Sequence, residues 1–275
     1  MTQPVNEPAE QAAPHLLVVK DGHVLTITMN RPKVRNAMGL EMLARLADAW
    51  DLLDADDELR VAILTGAEGV FSSGADLKAM HGSSADDPWA KRFADEPSLH
   101  WKAFLRDHRP RKPVLSAIEG IAFGGGTEII QGTDIRIAGR SARFGITESK
   151  FGLFPLGGST VRLPRQVTFT KAMEMLLTAQ PIDAEEAYRI GLVGTLVDDG
   201  SALDKAREMA GHIAANGPLA VQAIKQSAWE AWGKPQPEAL ARELELGWPV
   251  FQSKDAREGT RAFAEKRAPV FKGEW

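Results

Sequence analysis

Residues 120–148 read GIAFGGGTEIIQGTDIRIAGRSARFGITE, and the rest of the chain is organised around them. Three consecutive glycines, Gly124, Gly125 and Gly126, are followed two residues later by a carboxylate, Glu128. A second carboxylate, Glu148, comes 20 residues further on. Between them, Asp134 to Ala138 has the composition of a strand. Glycines leave backbone N–H groups open to an incoming oxygen, and two carboxylates can move protons. The stretch reads either as a site where backbone N–H groups meet a substrate oxygen and two carboxylates handle protons, or as a place where glycines only permit close helix–strand packing.

On the N-terminal side, Leu16–Lys20 and His23–Met29 are β-rich runs around Asp21-Gly22, a hairpin signal. Pro32 ends the strand, and a helix is predicted from near Gly39. Its Met42, Leu46, Trp50 and Leu53 face inward and Glu41, Arg45 and Asp48 outward. Val61–Thr65 (VAILT) reads as a strand covered on both faces. Residues 71–77 (FSSGADL) read as a strand–turn–helix entry, a usual place for ligand sites in α/β layers. Residues 81–100 are polar and irregular, which predicts a mobile loop, with a helix around Trp101–Asp107. Pro113–Ile118 is a buried strand running into the glycine turn. On the C-terminal side come a glycine-rich turn over 152–160 leading to a helix, then Ala184–Ile190, a helix capped by Asp183. Gly194–Val197 reads as a strand. Four helices follow, over Ala202–Asn216, Leu219–Trp232, Pro237–Phe251 and Asp255–Ala268. The order implies an α/β core, residues 15–200, with a helical C-terminal region, 201–275.

Composition excludes several classes. The net charge of −4 with mixed signs argues against a nucleic-acid surface. The chain has no cysteine, so disulfides, thiolate nucleophiles and cysteine-held metals are out, and a reducing, cytoplasmic setting fits. No apolar run approaches membrane-spanning length. Residues 1–14 (MTQPVNEPAEQAAP) carry two acids, three prolines and no base, which predicts a disordered tail rather than a targeting segment. The six histidines show no metal-binding spacing, so metal-free catalysis is expected. The glycines lack the G-x-G-x-x-G and G-K-[ST] spacings of nucleotide turns.

Five segments together resemble the crotonase (enoyl-CoA hydratase/isomerase) superfamily. They are NRPKVRNAM at 30–38, FSSGADLKAM at 71–80, KPVLSAIEGIAFGGGTEIIQGTDIRIA at 112–138, FGITESKFGLFPLGGSTVRL at 144–163 and EGTRAFAEKRAPVF at 258–271. The resemblance implies a β-β-α spiral core, a C-terminal helical trimerisation region, homotrimers that often pair into hexamers, and coenzyme A thioester substrates. It implies no separate cofactor, because coenzyme A arrives with the substrate.

By the same resemblance, the N–H groups of Ala75 and Gly125 form an oxyanion hole and Glu128 and Glu148 are the catalytic pair of a hydratase. Ser73, Asp76 and Leu77 flank the coenzyme A site, and Phe263 and Lys266 reach the coenzyme A of a neighbouring subunit. Leu156 stands where glycine is frequent, and either narrows the acyl pocket or offers its N–H to the reacting water. Glu119 and Thr147 replace the family's common Asn and Pro. Trp89, Trp101 and Phe104 either line the acyl site or pack onto the core. The expected reaction is hydration of a 2-enoyl-CoA to a 3-hydroxyacyl-CoA, or its reverse, in fatty-acid or related catabolism. The alternatives are an enoyl-CoA isomerase, a specialised acyl-CoA dehydratase, or a non-catalytic member that binds RNA or protein. The retained glutamate pair and the acidic balance count against the last.

Overall fold

The computed structural model describes residues 13–79 and 87–275. The tail expected over 1–14 lies almost wholly outside the described residues, as does 81–86 of the expected loop.

Strand β1 (Leu16–Asp21) and strand β2 (Val24–Met29) form the expected hairpin, antiparallel with Asp21 opposite Val24 and Gly22 at φ 53°. Helix α1 (Leu40–Ala55) starts after Gly39, and Met42, Leu46, Trp50 and Leu53 are all fully buried. Strand β3 (Val61–Gly66), strand β4 (Val114–Ile118), strand β6 (Ile135–Gly139) and strand β9 (Thr195–Val197) extend the sheet in parallel, in the order β1-β2-β3-β4-β6-β9. The period of two decides how this sheet is covered. In β3, Ala62 and Leu64 join the main core under α1, whereas Val61 and Ile63 face the other way. There they meet Ala202, Ala206 and Ala210 of helix α8 (Ala202–Ala214). A stripe of alanines lets α8 lie close to the sheet. The expected boundary at residue 200 thus falls in front of a helix that packs on the core. Helix α9 (Pro218–Ala231), helix α10 (Gln236–Gln252) and helix α11 (Lys254–Ala264) stand beyond it.

A second, three-stranded sheet escaped the sequence reading. Strand β5 (Ile121–Phe123) pairs in parallel with strand β7 (Arg143–Gly145), which pairs antiparallel with strand β8 (Ile182–Asp183). Strands of two and three residues are too short to show alternation. Helix α4 (Gly125–Ile130) packs on β5, and helix α5 (Ser159–Gln166) packs on helix α6 (Phe169–Thr178), the last also unforeseen. Helix α7 (Ala184–Arg189) is capped as expected, with Asp183 Oδ1 accepting from the Glu186 N–H at 2.9 Å.

Other expectations need correction. Residues 71–78 carry two isolated bridges, Ser72 to Ala122 and Met38 to Ala75, in place of a regular strand, and then a turn; the helix expected after that turn falls mostly outside the described residues. The stretch read as irregular contains helix α2 (Pro88–Asp95), with Asp87 accepting from the Trp89 N–H and Pro88 at the first position. The helix placed at 101–107 is helix α3 (Leu99–Ala103), which ends where Leu105 turns left-handed at φ 54°. The Trp50 indole N–H donates to the Ala103 carbonyl at 3.1 Å and ties α3 to α1.

One buried ion pair ties the C-terminal helices to the core. Lys225 of α9 is 8% exposed, and its Nζ lies 2.8 Å from Asp134 Oδ2 and donates to the Lys112 carbonyl at 2.8 Å. Asp134 Oδ1 accepts from the Trp229 indole at 2.7 Å, and the Arg109 guanidinium sits 3.8 Å over the Trp229 ring. Removing one member leaves a buried charge without its partner, at about 3–5 kcal/mol. We predict that Lys225→Ala lowers unfolding free energy by about 3 kcal/mol in urea titrations; a loss under about 1 kcal/mol would show that the latch contributes little.

Candidate active site

Strand β4 delivers the chain into Glu119-Gly120, and β5 carries it to the three glycines. Gly124 adopts φ 50°, a left-handed conformation that disfavours side chains. A methyl group there would also sit 2.9 Å from Glu148 Oε1. Gly125 opens α4, so its N–H is one of the helix's unpaired donors. A side chain at Gly125 would strike Met38 Cε and Phe104 Cε1, both at 2.9 Å. Thr127 fixes the two short strands together: its hydroxyl donates to the Ala122 carbonyl and accepts from the Gly145 N–H at 3.1 Å.

Ala75 reaches the same place from a different loop. The Met38 N–H donates to the Gly74 carbonyl at 2.8 Å, and the Asp76 N–H donates to the Met38 carbonyl at 3.1 Å. In such a parallel bridge the flanking residues make the bonds, so the N–H of Ala75 points away from Met38. Gly74 lies at φ 95°, and a methyl on it would stand 3.1 Å from the Gly125 nitrogen. Two N–H groups from separate loops, neither with a partner among the described residues, are thereby brought near one another. Arg31 fastens the loop: its Nη1 donates to the Ala37 carbonyl at 2.7 Å and to Asp76 Oδ2 at 2.8 Å. Burial acts to raise the Asp76 pKa, but the Arg31 bond and the N–H groups of Ala79 and Lys78 hold it below the ordinary value.

Both glutamates face one cavity of about 510 Å³. Glu128 is 4% exposed. Burial, and then the charge of Glu148, push its pKa up to about 7. The Ser159 N–H, 3.4 Å from Oε1, and the Gly157 N–H act the other way. Ser159 is itself held by Gln131, whose Nε2 donates to its hydroxyl at 2.8 Å. Glu148 opens a 3-10 turn, Glu148–Phe151, and burial raises its pKa against its own N–H and that of Thr147. Its Oε2 is buried with no hydrogen-bond partner among the described residues. Both carboxyls thus have raised proton affinities, chiefly through burial, and the charge of Glu148 adds to the shift of Glu128.

The cavity brings together Ala75, Asp76, Gly125, Glu128, Glu148, Leu156, Trp101 and Phe104 of the residues singled out in the sequence. Leu156 is half exposed at its rim. Ser73 and Leu77 flank the Ala75 turn without lining the cavity; the Ser73 hydroxyl donates to the Val34 carbonyl at 3.3 Å. Phe263 and Lys266, at the C-terminal end of α11, are exposed and do not line it in this single chain. Trp89 does not line it either: it packs on the core beneath the Arg45 guanidinium, 5.2 Å from the ring. Glu119 has a structural task, accepting from the N–H groups of Gly200 and Ala202 at 2.9 and 3.0 Å at the start of α8.

The sequence reading missed Met38, Leu40, Leu43 and His100 of the lining, and the supporting Arg31, Gly157 and Ser159. Membership of the NRPKVRNAM and GGST segments was the available signal for Arg31, Met38, Gly157 and Ser159; Leu40, Leu43 and His100 lie outside them. Among the described residues no cluster of three His, Asp or Glu side chains could hold a metal ion, and no helix is long and apolar enough to cross a membrane.

The sequence profile described as enoyl-CoA hydratase/isomerase matches residues 20–274. The chain is 51% identical over 261 residues to enoyl-CoA hydratase EchA19 of Mycobacterium tuberculosis, covering 95% of this chain and 97% of that one. It is 40% identical to (E)-benzylidenesuccinyl-CoA hydratase of Thauera aromatica, covering 91% and 96% of the two chains. The crystal structure of enoyl-CoA hydratase EchA1 from Mycobacterium marinum superposes with a TM-score of 0.86 at 41% identity, covering 95% of this chain and all of that one. The chain belongs to the enoyl-CoA hydratase/isomerase family and has the crotonase fold.

The raised pKa of Glu128 has a measurable cost. Below its ordinary value of 4.5 the carboxyl is protonated in folded and unfolded chains alike, and nothing is lost. As pH rises through about 7 the folded chain must ionise a buried group, and stability falls by up to about 3 kcal/mol. Glu128→Gln removes this titration. Its stability relative to the parent should therefore rise by up to about 3 kcal/mol between pH 4 and pH 8.5 in denaturant titrations. A difference independent of pH would contradict the assignment.

Proposed function

We propose that this cavity hydrates a 2-enoyl-coenzyme A thioester to the 3-hydroxyacyl-CoA, or runs the reverse dehydration. The observation that carries the reading is the pair of carboxyls of raised proton affinity in one cavity, beside two N–H groups with no partner among the described residues. The thioester oxygen lies between the N–H groups of Ala75 and Gly125. Water sits between Glu128 and Glu148. The ionised carboxylate takes a proton from the water as its oxygen bonds to the β-carbon. The C2–C3 π electrons move to C2 and the thioester oxygen, where the two N–H groups stabilise the enolate. The protonated carboxyl then delivers its proton to C2. One water is added, and the pair ends with one proton, as it began. A proton shuttle between C2 and C4 needs only one acid–base group, so two retained carboxyls favour hydration over isomerisation. Relatives that include enoyl-CoA hydratases and a carnitinyl-CoA dehydratase support water addition or removal.

Around this chemistry, Ser73, Asp76 and Leu77 border the path of coenzyme A, with Asp76 acting through its tie to Arg31. Phe263 and Lys266 serve a neighbouring subunit's coenzyme A in a homotrimer or a hexamer. Exposed Ile224, Leu240, Leu244, Trp248 and Phe251 on α9 and α10 give the C-terminal region an apolar surface suited to such assembly. The chemistry needs no metal or separate cofactor, and the setting is acyl-CoA catabolism in the cytoplasm.

Loss of enoyl-thioester absorbance over a panel of 2-enoyl-CoAs tests the reading; no turnover with any of them would end it. Glu128→Gln and Glu148→Gln should each lower kcat by about 10²–10⁴-fold, as loss of a general acid or base does. Gly124→Ala should lower kcat by about 100-fold, because displacing a catalytic group by about 1 Å costs that much. Parental rates in any of the three would remove that residue from the mechanism.

A further inference from the structure

Among the described residues lining the cavity, His100 and its neighbour Trp101 can hydrogen-bond to a ligand and are not used by the mechanism. His100, on α3, lines the cavity beside Met38, Leu43, Trp101 and Phe104. Its ring lies 4.8 Å from that of Trp101, 5.1 Å from Phe104 and 6.3 Å from Phe93. Among the described residues its nitrogens make no hydrogen bond to the protein. Burial alone lowers its pKa, with no charged side chain contributing, so the imidazole is neutral at pH 7. A neutral imidazole offers one donor and one acceptor.

Polar groups set in apolar pockets fix orientation and confer specificity. A cavity lined only to hold a plain alkyl chain would gain from a hydrophobic side chain here, because an unmatched imidazole must give up its water when alkyl fills the space. Among the described residues no charged side chain hydrogen-bonds to the imidazole. A neutral ring among aromatic neighbours offers a ligand a hydrogen bond and no counter-charge. The partner that fits is an uncharged oxygen.

We propose that His100 is a specificity-determining residue that hydrogen-bonds a hydroxyl or keto oxygen carried on the acyl chain, away from the thioester. The inference rests on the acyl-CoA reading above and narrows it to acyl-CoAs oxygenated in the chain. Sites that bond a substrate's polar atom discriminate strongly against the analogue lacking it.

The test compares saturated acyl-CoAs of equal length with and without a hydroxyl or keto group at successive chain positions, by binding calorimetry, and the matching 2-enoyl-CoAs by kcat/KM. The parental protein should favour an oxygenated chain at least tenfold at one or more positions. His100→Leu should reduce that ratio at least tenfold, and His100→Gln, which can still hydrogen-bond, should retain part of it. No preference in the parental protein, or one that survives His100→Leu, overturns the proposal. Because calorimetry needs no turnover, the preference is measured even if no enoyl-CoA is hydrated; that second outcome would overturn the hydratase reading alone.

Discussion

Two carboxyl groups share one buried cavity, and the rest of the structure has to make that tolerable. Burial disfavours each charge, and each charge disfavours the other. The chain answers with backbone donors rather than cations: the N–H groups of Ser159 and Gly157 address Glu128, and those of Glu148 and Thr147 address Glu148. A cation in the same place would bring both pKa values down. Among the described residues, neither Arg31 nor Arg162 hydrogen-bonds to either glutamate. Arg31 is committed to Asp76 and Ala37, while Arg162 donates to the carbonyls of Leu105 and Arg106.

The glycines follow from this requirement. Gly124 has no side chain because Glu148 lies against its α-carbon, and Gly157 because the carboxyl of Glu128 lies against its own. Gly126 makes room for the Ser72 backbone, which brings the Ala75 loop to α4. Close approach of backbones, fixed by Thr127 between β5 and β7, sets how the two carboxyls and the Ala75 and Gly125 N–H groups are placed in one cavity. The latch at Asp134 then joins this core to the C-terminal helices through Lys225 and Trp229.

Much of this was legible in the sequence where a pattern repeats. The hairpin around Gly22, the amphipathic α1 and the doubly covered β3 are long enough to show their periods. Glu128, Glu148, Ala75 and Gly125 were legible from motif order, and the fold brings them to one cavity. Short elements were not: β5, β7 and β8 have too few residues to alternate, and they exist because the large sheet and α4 hold them. Helix α2 was hidden by its polarity, although Asp87-Pro88 is a helix start that deserved more weight than the acidic stretch around it. His100 was grouped with the other histidines because its importance comes from three aromatic neighbours and a cavity wall. Only the tertiary structure assembles those.

The proton on Glu128 near neutrality is the account's central claim, and infrared titration of the carboxyl C=O stretch reads it most directly. In the difference between the parental protein and Glu128→Gln, a protonated-carboxyl band should persist at pH 6 and disappear as pH rises through about 7. A Glu128 carboxylate already fully ionised at pH 5 would contradict the account, because the site would then hold two charges and no proton to deliver.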